Sequence, residues 1–317
     1  MANIIGDKAK SAAKDAKKAV VKAKDTAVSS ANKAIDAITD IKITPEELVY
    51  KASQLPIAKV DRSTFLRKEL IKHYPEETVK LAIQNNPAYA GVDKYTINNI
   101  ANQVIQYETN KVSTISFAAG IPGGAAMAAT ITADVAQYFA FMLRAMQEIA
   151  YLYGFEEFEF DKDSIDSNTM NEMLVFLGVM FGVQSANTGV KVIAQSTAQR
   201  VSKTLANKAL TKGAVYPIVK KIAKAVGIKM TKQIFADGVA KVVPVLGGVV
   251  SGGLTYVTYK KSCLRLKHSF WNLNLCDVEF YEKVRNGEIK EMPEDEIIDI
   301  NEEDIITEAN MEVTEDI

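Results

Sequence analysis

Histidine, cysteine and tryptophan are scarce in this 317-residue chain, which holds two, two and one of them. His73 and His268 lie far apart in sequence, which excludes nearly every His-based zinc site or His-relayed triad. Cys263 and Cys276 cannot form a disulfide framework, so the expectation is a reducing compartment and two thiols packed as small apolar groups. No phosphate-binding Gly-x-x-x-x-Gly-Lys-Ser/Thr loop, dinucleotide fingerprint or Cys-x-x-Cys is present, and no cofactor or metal is predicted. Asp161 to Glu172 echoes a calcium loop, but Ile165 and Asp166 stand where an oxygen ligand and a glycine belong. A loop followed by a helix capped by Asp166, Ser167 or Asn168 is expected there instead. In Gly248-Val249-Val250-Ser251-Gly252 the serine is one place off the centre of a nucleophile elbow.

What the chain does have is apolar bulk, 48% of its residues, enough for a sizeable core. The N-terminus has no apolar run ahead of Asp7 and Lys8 that would make a signal peptide, so it is expected to remain on the protein. From Lys8 to Ile38 alanines, Val20 and Ile35 recur every three or four residues among lysines, the pattern of an amphipathic helix with a thin apolar stripe. Thr44-Pro45-Glu46-Glu47 then reads as a helix start, with threonine as N-cap, proline first and acids in the first turn. Short helices punctuated by Pro56, Pro75 and Pro87 follow, with little strand patterning. The predicted fold is all-α: a compact multi-helix bundle over 44–285, preceded by the 1–43 helix and followed by a disordered acidic tail, 286–317.

Three segments carry no charge: Val112–Ala133, Met173–Val190 and Val242–Tyr259. Each approaches the ~17–25 residues of a membrane span. Gly120-Ile121-Pro122-Gly123-Gly124 interrupts the first, Gln184, Ser185, Asn187 and Thr188 make the second polar, and Pro244 with four glycines breaks up the third. Buried helices or helical hairpins are therefore expected, with Gly248 and Gly252 spaced for close helix packing.

Charge is strongly partitioned although the net is −1. Residues 185–270 hold fifteen Lys and Arg against the single acid Asp237, net +14, and 277–317 hold sixteen acids against three bases, net −13. Lys220, Lys221, Lys224 and Lys232, followed by Lys260 and Lys261, are the predicted lipid-binding residues, because lysines near an anionic bilayer each contribute about 1 kcal/mol. Nucleic acid fits poorly, since arginines and interleaved aromatics are few between Lys191 and Lys241. The acidic tail could fold back on this face.

Asp134 is the only charge in a long apolar stretch. Arg144 follows ten residues later, about 15 Å along one helix, too far for direct pairing. Asp134 is thus expected to meet a base from another helix or the amides near 120–124, chiefly as a buried structural group and more weakly as a catalytic candidate.

The stretch Phe117–Gly154 resembles the EcsC family of bacterial proteins. The likeness rests on Gly120, Pro122, Gly123 and Gly124 in the turn, on Asp134, Gln137, Arg144 and Gln147 along the helix, and on Tyr151 and Gly154 at its end. Pro244, Gly247, Gly248 and Gly252 look like the family's C-terminal glycine-rich block. The resemblance implies a helical, membrane-associated cytoplasmic protein and supplies no catalytic residues. The expected function is accordingly a non-enzymatic cytoplasmic peripheral membrane or lipid-interacting accessory protein, with anionic membrane lipid as its partner. The alternatives are an enzyme on a lipid or membrane-bound substrate using Asp134, and a protein-binding adaptor for an ABC-type membrane transporter.

Overall fold

The computed structural model describes residues 44–120, 127–160, 165–202, 219–222, 224, 247–291 and 293, and describes no side chains within 116–135 or 247–255. The predicted N-terminal helix, most of the acidic tail, Pro122, Gly123, Gly124, Lys232 and Pro244 lie outside the described residues.

The chain enters through α1 (Pro45–Ser53), where Thr44 Oγ1 accepts from the Glu47 amide and Glu47 Oε2 accepts from the Thr44 amide, both at 3.2 Å. This reciprocal capping box is the helix start that the sequence announces. A 3-10 turn at Pro56–Ala58 leads to α2 (Arg62–Leu70), capped by Asp61, and to α3 (Glu76–Gln84), which begins directly after Pro75. Two long helices follow, α4 (Lys94–Gly120) and α5 (Met127–Leu152). They pack on each other, so the first uncharged segment divides between the arms of a helical hairpin.

The second uncharged segment also folds as a hairpin, of α6 (Ser167–Met180) and α7 (Ser185–Ser202). Asp166 caps α6 as expected. Gly182, at φ +67°, ends it: the Val183 amide reaches back to the Gly178 carbonyl at 2.8 Å, the closure of a Schellman turn. Between the arms an added Cβ on Gly189 would stand 2.9 Å from Val175 Cγ1, so glycine sets their close approach. The third segment forms the first part of one continuous helix, α8 (Gly247–Phe270), which carries Gly247, Gly248 and Gly252. A 3-10 turn (Asn274–Cys276) and α9 (Val278–Arg285) complete the body. The described chain continues past the expected boundary at 285, and Ile289 packs against the core.

No strand occurs among the described residues, which form an all-α bundle, and none of their helices is long and apolar enough to cross a membrane. The main packing is α4 against α8. Tyr95 meets Trp271, Asn102 Oδ1 accepts from Lys267 Nζ at 2.7 Å, and the Gln106 amide meets the Tyr256 hydroxyl at 3.1 Å, so the two helices run antiparallel. The core centres on Phe155, Phe176 and Phe270, whose rings lie 4.7–5.1 Å apart, within the range for favourable aromatic pairing. Cys263 and Cys276 are buried thiols, as expected of small apolar groups.

Candidate functional site

The α4–α5 hairpin encloses a buried ionic network. Glu108 on α4 is 1% exposed and Glu148 on α5 is 3% exposed, yet both carboxylates converge on one guanidinium. Arg144 Nε donates to Glu108 Oε1 at 3.1 Å, and its Nη2 lies 2.8 Å from Glu148 Oε1, one helical turn away on α5. Lys111 adds a weaker contact, 3.6 Å from Glu108 Oε1. Glu108 Oε2 is buried without a hydrogen-bond partner.

Burial, then the charge on Glu108, push Glu148 up to about 7, against Arg144, Lys111 and Lys68. Burial also works against the Arg144 charge, but Glu148 and Glu108 outweigh it and hold its pKa above the ordinary value. Chemically, this is a site where a proton can reside near neutral pH. Cys263 lies within reach of the same field, and burial followed by these two carboxylates pushes its thiol far up, which makes it inert as a nucleophile.

The residues carrying the family resemblance separate into distinct roles. Arg144 belongs to the network just described, paired with Glu108 and Glu148. Asp134 lies on α5, but its side chain is among those not described. Gln137 is exposed. Gln147 is fully buried and clamps the link between the first 3-10 turn and α2: its Nε2 donates to the Ala58 carbonyl at 2.5 Å and its Oε1 accepts from the Val60 amide at 3.2 Å. Tyr151, also buried, donates to the Val60 carbonyl at 3.4 Å. Gly120 closes α4, while Gly247, Gly248 and Gly252 lie on α8.

Gly154 shows why a side chain is unwelcome after α5. Its φ is +96°, and an added Cβ would stand 2.7 Å from Asn86 Nδ2. That amide, in the connection after α3, donates to the Leu275 carbonyl at 2.9 Å and to the Tyr281 hydroxyl at 2.8 Å, tying this connection to the second 3-10 turn and α9 where the chain leaves α5. Another tie comes from buried Arg62, which donates from Nη1 to the Ile83 carbonyl at 2.7 Å and from Nη2 to that of Asn85 at 3.1 Å. A cation thus meets the unpaired carbonyls at the C-terminus of α3.

The predicted lipid-binding lysines divide as well. Lys220, Lys221 and Lys224 are exposed on a helical stretch whose Val219 and Ile222 are buried. Lys260 departs from the expectation of an exposed lysine: it is 5% exposed, with Nζ 5.6 Å from the ring centroid of Tyr256, one turn earlier on the same helix. Lys261 is half-buried.

Sequence reasoning passed over Glu108 and Glu148. The available signals were the i, i+4 spacing of Arg144 and Glu148 and the position of Glu108 as the only acid between Asp93 and Asp134. No protein-family model, curated protein or solved structure matches this chain.

Proposed function

We propose that this protein is a non-enzymatic accessory protein of the cytoplasmic membrane face, held on anionic lipid by its lysine-rich side. One observation carries the reading: Lys220, Lys221 and Lys224 are exposed while Val219 and Ile222, on the same stretch, are buried. Packing of the apolar pair orients the three ammonium groups outward. The charge excess of +14 over 185–270 extends the same field, and the EcsC resemblance of 117–154 points the same way. Such docking is peripheral, by attraction of lysines to headgroups.

Vesicle flotation tests it. The protein should float with phosphatidylserine-containing vesicles and not with phosphatidylcholine alone, and it should release at high salt, where screening shortens to a few ångströms. Replacing Lys220, Lys221 and Lys224 with glutamine should weaken binding roughly a hundredfold, at about 1 kcal/mol per lysine. Equal binding to neutral vesicles, or none to either, would overturn the proposal.

A further inference from the structure

The charge of the chain reverses abruptly after α9, and the structure fixes where the reversed segment starts. Gly287, at φ +73°, turns the chain back, with the Glu288 amide donating to the Lys283 carbonyl at 2.9 Å. Ile289 then packs on the core, and Gln195 Nε2 on α7 lies 3.5 Å from the Pro293 carbonyl. The last described residue, Pro293, therefore stands beside α7, and residues 294–317 follow it in the sequence. These 24 residues hold eleven Asp and Glu and no Lys, Arg or His.

The exposed lysines sit within range of that point. An added Cβ on Gly178 would touch both Ile222 Cγ2, at 2.6 Å, and Ala186 Cβ, at 2.9 Å, so the lysine-bearing stretch packs near the start of α7. Nine residues of α7 separate Ala186 from Gln195, about 14 Å at 1.5 Å per residue. An extended chain of this length reaches as far as ~80 Å, so tether length does not prevent the contact. Dense negative charge held beside an exposed cationic face has a high effective concentration there, and its attraction to that face is strong at low salt.

We propose that residues 294–317 dock on the Lys220, Lys221 and Lys224 face of the same molecule and mask it from anionic lipid. The docking stands on the geometry and charge just described; the masking also rests on the membrane reading above.

Zero-length carbodiimide cross-linking of the full chain, read by mass spectrometry, tests the docking. At ~0.01 M ionic strength, where screening extends to about 30 Å, carboxylates of 294–317 should join Lys220, Lys221 or Lys224. The yield should be independent of protein concentration, and 1 M salt should abolish the products. Tail cross-links confined to other lysines, or none at all, would overturn the docking. For the masking, the eleven tail acids are changed to their amides in the full-length protein, and flotation is measured on mixed phosphatidylcholine–phosphatidylserine vesicles. If the tail covers the face nine-tenths of the time, the neutralised variant binds about tenfold more tightly. Equal binding by both forms would overturn the masking. Failure of both forms to bind would overturn the membrane reading instead, with the docking decided by the cross-links.

Discussion

Arg144 Nε on one arm of the α4–α5 hairpin lies 3.1 Å from the buried Glu108 Oε1 on the other, with the arginine itself about a quarter exposed. The bond links two helices that pack on each other, and the same guanidinium also holds Glu148 at 2.8 Å. Arg144→Met would leave two buried acids without their main counter-charge. Loss of one partner from a buried ion pair costs about 3–5 kcal/mol, and chemical denaturation should register a loss of that order. The double change Arg144→Met with Glu108→Gln should recover part of it, because one stranded charge is removed.

Stability should fall as pH rises from about 4.5 to 7. Glu148 is raised from 4.5 to about 7 by burial first and Glu108 second, so the folded state keeps a proton that the unfolded chain has released. Its stabilising contribution is full below 4.5 and is lost as pH passes 7, a difference of about 3 kcal/mol. Glu172, also raised to about 7 by burial, acts in the same direction. Glu148→Gln should flatten the denaturation profile across this window, and adding Glu172→Gln should flatten it further.

Acid should act with the opposite sign through Asp93. Burial works against its charge, but hydrogen bonds from Thr96 and Tyr74 draw it down from 3.8 to about 2. Its contribution is present above 3.8 and is lost as pH falls to 2. Asp93→Asn should therefore lower stability at pH 6 and make little difference at pH 2, as read by thermal unfolding.

Two glycines of similar conformation should respond differently to alanine. Gly91 and Gly154 have φ +86° and +96°, but an added Cβ meets nothing within 4 Å at Gly91 and meets Asn86 Nδ2 at 2.7 Å at Gly154. Gly91→Ala should cost the backbone term alone, about 1–2 kcal/mol. Gly154→Ala should cost about 2 kcal/mol more, since Asn86 must give up bonds to Leu275 and Tyr281.

Gln147→Met should destabilise by about 2–4 kcal/mol, because the buried Ala58 carbonyl and Val60 amide each lose a partner. Gln147→Glu should be worse, since a carboxylate cannot donate to that carbonyl. Equilibrium unfolding of both variants distinguishes the polar clamp from simple packing.

Local signals were the legible part of this fold. Thr44, Pro75 and Asp166 mark helix starts because caps and ring constraints act within one turn. Polar residues at 184–188 flag the break that Gly182 executes. The pairing of Glu108 with Arg144 depends instead on how two helices meet, 36 positions apart, and spacing within either helix carries no record of it. Arg62 is similar: its partners at Ile83 and Asn85 appear only when α2 and α3 fold together. Lys260 stands beside Lys261 in a basic stretch, yet on α8 it is buried while Lys261 is half-buried, a difference that neighbouring positions in the sequence do not signal.

Cys263 and Cys276 are 0% and 4% exposed, which gives the protein two built-in reporters of its own breathing. A thiol reagent can modify them only when the bundle opens, so labelling rates in native buffer count those openings directly. Cys263 is carried on α8 and Cys276 on the turn before α9, so any difference between their rates shows which part of the body parts first.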